Sequence, residues 1–336
     1  MKILYIFTSP SIKGSSVQTK VLNQIKYLNK AGADCRGAFF STEVNEVTPL
    51  NEYVDFVPVR ESNWKYFKAS GHKRKIMQAV INYAKIQYTR YDLFYFRYPD
   101  AGSLLLDFTN KFGNKTAFEH LSIEELELKL HAKENPFGIT PSCFLSWLEY
   151  SALPLWRERL YGKAVRKNAK LGICNSQEIA NFQFKKSGRK YNTIIGGDAV
   201  EVSNFPLLKR LEFDKELNLV FLKGASTSAE YNGLERILEG LKLYTGKISI
   251  KLFLLGRNLR YEKLLIKSKE LNNNEIVLEG FKVGEDLYDF LTRMHIGISQ
   301  MGMYKKGLLE NSTIKAREYI ALGLPYIWTY RSRLKW

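Results

Sequence analysis

Gly307-Leu308-Leu309-Glu310-Asn311-Ser312-Thr313-Ile314-Lys315-Ala316-Arg317-Glu318-Tyr319, running on to Gly323-Leu324-Pro325, is the segment from which the rest of this chain can be read. Asn311, Ser312 and Thr313 are all residue types that cap a helix N-terminus. Beyond them Ile314, Tyr319, Ile320 and Leu322 give a rough helical stripe, and Gly323 followed by Pro325 reads as a stop. Glu310 then falls on the loop before a helix, and Glu318 about one turn and a half inside it. A helix start offers free N–H groups and a positive dipole end, which together favour an anion. Lys315 and Arg317 fall in the first two turns, where a cation is unfavourable unless an anion offsets it. Two flanking carboxylates accept hydrogen bonds from hydroxyls, so the segment points to a bound anion carrying a polyol. The same residues also fit a surface helix with solvated charges, because a spaced glutamate pair is by itself a weak signal.

Working outward, strand-like and helix-like segments alternate. Lys2 to Phe7 is a short apolar run of the kind found in buried parallel strands. A polar loop from Thr8 to Ser16 follows, then a helix over Val17 to Lys30 closed by Gly32. The loop lacks the GxGxxG spacing, so dinucleotide binding is not indicated. Leu93–Arg97, Thr116–His120 and Leu171–Cys174 read as further strands, with helices around 101–112, 122–132 and 145–169. After a loose stretch from Gly196 to Lys215 a second series begins. Its strands are Leu219–Leu222, Ile248–Leu255, Ile276–Leu278, Ile296–Ile298 and Pro325–Trp328. Its helices are Leu234–Tyr244, Glu285–Arg293 and the segment quoted above. The expected architecture is α/β with two doubly wound, Rossmann-like domains, residues 1–200 and 201–336, facing a cleft. Ligands are then expected at the carboxyl ends of the strands.

The 336 residues are enough for two domains with cores of their own, and 45% hydrophobic residues is ordinary for a globular chain. No run approaches the roughly 18 apolar residues of a membrane span, and the start reads as a strand rather than a signal peptide. Three cysteines without CxxC spacing argue for a reducing compartment, and four histidines without HExxH spacing give no metal signature. A formal net charge of +17 favours anionic partners. Cations thicken between Lys65 and Arg90 among Trp64, Tyr66, Phe67, Tyr83 and Tyr88. That composition suits an anionic membrane surface or single-stranded nucleic acid, and the solvated face of a helix as well as both together. No nucleic-acid-binding motif is present, so nucleic acid is not expected as a partner.

With both series in place, the chain resembles the retaining glycosyltransferases of the GT-B fold, of the group 1 kind. The segment from Gly307 to Pro325 is similar to that family's E-x7-E region in its LK-x-REY-x-A-x-G-x-P form, seen in bacterial surface-polysaccharide assembly. The resemblance implies that Glu310 contacts the donor sugar, that Asn311, Ser312, Thr313 and Ile314 meet sugar and diphosphate, and that Glu318 holds the ribose. Phe118-Glu119-His120 resembles the strand end carrying the family's active-site histidine, which makes His120 a second catalytic candidate beside Glu310. Gly14 resembles the flexible loop after the first strand, and Asn232-Gly233-Leu234-Glu235-Arg236 resembles a KG-x-x-R helix start. Asn232 stands where a lysine is common, so Lys223 is expected to keep one half of the basic pair that holds the diphosphate, with further charge from Lys315, or from Lys305 and Lys306. Ile195-Gly196-Gly197-Asp198 departs from the family's Asn-Gly before an aspartate. The sequence ends at Trp336 where relatives continue with further helices, so the resemblance implies a second domain that is short at its C-terminus.

The activity implied is transfer of a sugar, with retention, from a nucleotide-diphosphate sugar to a hydroxyl of a glycan or lipid-linked acceptor of a cell-surface polysaccharide. No Asp-x-Asp occurs anywhere. That fits a metal-independent site with no cofactor, in which helix dipole and cations stabilise the departing diphosphate. The expected location is cytoplasmic, with peripheral contact at the inner face of the membrane. The alternative is a catalytically impaired nucleotide-sugar-binding protein of the same fold.

Overall fold

The computed structural model describes residues 1–8, 16–63, 67–134, 141–189, 192–193, 199–209, 211–212, 215–222, 232–256, 274–282 and 284–332. The chain divides into two compact units, Met1–Ile195 and Gly196–Trp336.

The first unit is built on an eight-stranded sheet. In chain order its strands are β1 (Lys2–Thr8), β2 (Asp34–Ser41), β3 (Thr48–Asn51), β4 (Val54–Pro58), β5 (Leu93–Arg97), β6 (Thr116–His120), β7 (Leu171–Cys174) and β8 (Asn192–Thr193). They lie in the order β3-β4-β2-β1-β5-β6-β7-β8. The pairs are parallel except β3 with β4, a short exposed edge strand. Helices α1 (Ser16–Lys30), α2 (Lys68–Gln87), α3 (Ser103–Phe112), α4 (Glu124–Glu134), α5 (Pro141–Trp147), α6 (Leu153–Asn168) and α7 (Gln177–Ser187) connect them. Both faces of the sheet are buried, which is why its strands read as continuous apolar runs. Leu4, Ile6, Phe94 and Phe96 pack one face under α2, α3 and α6. Ile3, Tyr5, Phe7, Leu93 and Tyr95 pack the other, under α1. That is the period-two alternation of a strand.

Several elements depart from the sequence expectations. Strands β2 and β4 were not anticipated. Gly37 sits in the middle of β2, and a Cβ there would lie 2.8 Å from Ile25 and from Val54, so a weak strand former is required by close packing of α1 and β4. The single helix expected over 145–169 starts earlier and passes through a π-helical turn at Leu148–Ala152, immediately before Pro154. Proline has no N–H to give, and a local change of winding lets the helix pass it. The basic stretch between Lys65 and Arg90 is largely the amphipathic helix α2, with Ile76, Val80, Ile81 and Ala84 buried. Tyr83 packs on Phe40 and Tyr88 on Phe112, so these two rings serve the core. Trp64 and Tyr66 lie outside the described residues.

The second unit carries a five-stranded parallel sheet of β9 (Glu216–Leu222), β10 (Ser249–Leu255), β11 (Glu275–Gly280), β12 (Ile296–Ile298) and β14 (Tyr326–Ile327), in the order β11-β10-β9-β12-β14. Helices α8 (Leu234–Leu243), α9 (Gly284–Leu291) and α10 (Ile314–Ala321) cover it. Leu219, Phe221, Leu252 and Leu254 meet α8 on one face. Val220, Leu255, Phe290, Tyr319 and Leu322 fill the other. Strand β13 (Glu310–Asn311) pairs with β15 (Arg331–Ser332) as a separate parallel ribbon, so Glu310 stands on a paired strand rather than on a free loop.

Candidate functional site

In an open parallel sheet a crevice forms outside the carboxyl ends where the strand order reverses. In the second unit that point lies between β9 and β12, because the chain winds outward to β10 and β11 on one side and to β14 on the other. The segment from Glu310 to Glu318 arrives there. Thr313 is the N-cap of α10, its Oγ1 accepting from the Ala316 N–H at 3.2 Å. The same hydroxyl lies 3.2 Å from Ser299 Oγ, one residue past β12, and 3.4 Å from the Tyr330 hydroxyl. Asn311 accepts from the Ser312 N–H at 2.9 Å and donates to Gln300 Oε1 at 2.5 Å. The side chains of Asn311 and Thr313 are therefore occupied in holding the helix start to the end of β12. The remaining first-turn N–H groups point out of the helix, as at any helix start.

The cations follow the same geometry. Arg317 donates to Ser312 Oγ from Nε at 3.2 Å and from Nη2 at 2.9 Å, so its guanidinium is bent back over the first turn. Lys315 Nζ lies 3.5 Å from Asn232 Oδ1 and 5.2 Å from the centre of the Phe221 ring at the end of β9. Glu318 is half-buried one turn further along. Burial raises its carboxyl above the ordinary range, with Lys315 pulling the other way. Among the described residues its carboxylate accepts no hydrogen bond. The adjacent Tyr319 is fully buried, and its ring lies where a Cβ on Gly297 would stand, 2.8 Å away. This contact seats α10 on β12. Gly233, ahead of α8, has φ +71°, and a Cβ there would lie 2.6 Å from the backbone of Met301 and Gly302. That glycine lets the start of α8 meet the end of β12.

In the first unit the order reverses between β1 and β5. Two polar groups sit at neighbouring positions at the end of β6 and face opposite sides. Glu119 turns towards α1, accepting from Lys20 Nζ at 3.3 Å and Gln24 Nε2 at 2.9 Å, with the Tyr5 hydroxyl at 3.4 Å. His120 turns to the other face and is buried. Its Nδ1 lies 2.6 Å from Glu124 Oε1, and its ring 4.6 Å from that of Tyr98. Behind it Arg166, also buried, donates to Glu124 Oε2 at 2.9 Å and to Gln183 Oε1 at 2.6 Å, and pairs with Glu158 Oε1 at 2.6 Å. Burial opposes the charge on Glu124, but His120 and Arg166 outweigh it and hold that carboxyl well below the usual range.

The structure thus gathers Glu310, Asn311, Ser312, Thr313, Ile314, Lys315 and Glu318 at one strand end, and places His120 within the other unit. Gly14, Lys223 and the stretch from Gly196 to Asp198 lie outside the described residues. Gln300, Ser299 and Tyr330, which brace the helix start, carried no sequence signal. Arg317 did carry one, as a cation at a helix start. Among the described residues no group of three His, Cys, Asp or Glu side chains is placed to hold a metal ion.

No protein-family model matches the sequence, and no curated protein matches it. Solved structures do. Sucrose-phosphate synthase (tll1590) from Thermosynechococcus elongatus aligns with a TM-score of 0.65 at 15% identity, over 97% of this chain and 80% of that one. The apo form of the lipopolysaccharide outer core galactosyltransferase WaaB aligns at 0.60 and 15%, over 98% and 80%. Anabaena Alr3699/HepE in complex with UDP-glucose aligns at 0.55 and 11%, over 98% and 80%. The fold is therefore that of the GT-B glycosyltransferases, with parallel α/β units. At these identities the likeness is one of fold.

Proposed function

We propose that the protein is a glycosyltransferase that takes a sugar, with retention, from a nucleotide-diphosphate sugar to a hydroxyl of a glycan or lipid-linked acceptor. The observation that carries this reading is the helix start at the switch point of the second sheet. There a helix dipole, two cations and two glutamates meet where such sheets bind ligands. Residues 1–200 form the acceptor side and residues 201–336 bind the donor. Lys315, Arg317 and the first-turn N–H groups take the diphosphate and stabilise it as it leaves, so no metal ion is required. Glu310 and the N–H groups after it address the sugar. A half-buried carboxylate such as Glu318 suits the ribose hydroxyls, which supply the hydrogen bonds it lacks. His120 is the second catalytic residue of this reading, beside Glu310. Gly14 and Lys223 complete the phosphate contacts.

HepE solved with UDP-glucose and WaaB as a lipopolysaccharide galactosyltransferase support a nucleotide-sugar donor and a surface-polysaccharide acceptor. Among the described residues no helix is long and apolar enough to cross a membrane. We place the protein in the cytoplasm with peripheral contact at an anionic membrane face. That contact is supported by the net charge and by Lys68, Arg74, Lys75 and Lys85, exposed on a helix that carries no acid. Flotation with anionic against neutral vesicles tests it, and equal binding to both removes it. The donor assignment is tested by calorimetry with uridine, guanosine and adenosine diphosphate sugars. Glu318→Ala is expected to weaken the sugar that binds by about 10- to 100-fold, the worth of hydrogen bonds to a charged group. Unchanged affinity would refute the ribose role. Binding without any transfer to acceptor glycans would instead favour a catalytically impaired binding protein.

A further inference from the structure

The polar cluster around His120 does more than fill the interior. His120 is gripped on two sides. Glu124 Oε1 meets its Nδ1 at 2.6 Å, and the Tyr98 ring lies against it at 4.6 Å, tilted by 34°. Both grips are tied to one guanidinium. Arg166 donates to the second Glu124 oxygen at 2.9 Å and sits over the Tyr98 ring at 4.3 Å. It also pairs with Glu158, whose other oxygen accepts from the Tyr98 hydroxyl at 3.2 Å. Gln183 closes the circuit, accepting from Arg166 at 2.6 Å and donating to Glu124 at 2.8 Å. Two donors on Glu124 Oε2 fix the carboxylate plane, so Oε1 has one direction in which to accept.

We propose that Glu124, held by Arg166 and Gln183, is the positioning residue of His120: it fixes the hydrogen on Nδ1 and so sets a single tautomer and orientation of the ring. The catalytic part of this inference rests on the proposed catalytic role of His120. An ionised carboxylate can only accept, so the 2.6 Å contact requires Nδ1 to be protonated. Arg166 acts on the ring through Glu124 and Tyr98. The arrangement supplies what a group working on a bound sugar needs, a single ring orientation set before the ligand arrives.

The test starts with the unmodified protein and no substrate. Ring ¹⁵N–¹H correlation spectra, with His120 assigned by comparison with His120→Gln, are expected to show a protonated Nδ1. An Nδ1 without a proton overturns the proposal, whether or not the protein proves to be a glycosyltransferase. In Glu124→Gln the locked pattern is expected to give way to a mixture of tautomers, and an unchanged spectrum also overturns it. With the nucleotide sugar identified by calorimetry, Glu124→Gln is expected to lower kcat about a hundredfold while donor KM stays within about threefold, since the loss is one of orientation. Gln183→Met, a milder change, should lower kcat less and in the same pattern. An unaltered kcat in a folded Glu124→Gln variant removes the catalytic part. Absence of any donor binding by the wild type counts against the proposed function and leaves the ring spectrum as the deciding measurement.

Discussion

The two units handle charge at their strand ends in opposite ways. In the first, the charged groups beside β6 answer one another: Glu119 is met by Lys20, and Glu124 by His120 and Arg166. In the second, Glu318 is half-buried with its carboxyl raised by desolvation, and two cations stand at a helix start that disfavours them. A network of paired charges rigidifies its region, whereas a desolvated carboxylate such as Glu318 is costly in the folded chain and gains from a hydrogen-bond donor.

That contrast can be broken experimentally, and the largest effect should come from the first unit. Arg166→Met leaves the buried Glu158 and the part-buried Glu124 with their main counter-charge removed. It should cost about 3–5 kcal/mol in denaturant unfolding, as for other severed buried pairs. A loss near zero would mean that the network is not what holds α4, α6 and α7 together. In the second unit, Gly297→Ala drives a methyl into the Tyr319 ring and should cost about 1–3 kcal/mol, as overpacking does. It should also weaken donor binding, because α10 is seated through that contact; equal affinity would separate the seating of the helix from the site. Thr313→Ala removes the cap of α10 and its ties to Ser299 and Tyr330, and about 1 kcal/mol of stability should go with it.

The subtlest test concerns a sign. A carboxyl whose folded value is raised above its unfolded value disfavours folding when ionised, and that cost vanishes below the unfolded value. Glu318→Gln should therefore melt at a higher temperature than wild type at neutral pH. The gain should disappear as the pH falls through the raised folded value and on below the ordinary carboxyl range. The same variant should bind donor less tightly. Stabilisation with loss of binding is the mark of a residue kept for a ligand. A lower melting temperature at neutral pH would place Glu318 with the paired charges of the first unit.

Much of the scaffold could be read from the chain. Runs such as Leu93–Arg97, Thr116–His120, Leu171–Cys174 and Ile296–Ile298 emerge as strands with the expected bounds, because strands buried on both faces are short, continuous and apolar. The helix start at Thr313 was legible through its cap residues. Strands β2 and β4 were not, since Gly37 is dictated by the approach of Ile25 and Val54, which no local pattern records. Nor did the basic stretch before Arg90 reveal that Tyr83 and Tyr88 turn inward, because the charges that mark it lie on the opposite face of α2.

The sequence by itself determined the alternation of parallel strands with helices, and the cap, cations and glutamates of the segment from Glu310 to Glu318. These follow from short-range rules of period, capping and dipole that act within a few residues. Only the tertiary structure decided that Arg166 reaches Glu124 across 42 residues, that Tyr319 lies on Gly297, and that Ser299 and Tyr330 brace Thr313. Those contacts arise where separate elements pack, and their energy depends on distance and burial, which are properties of the folded chain.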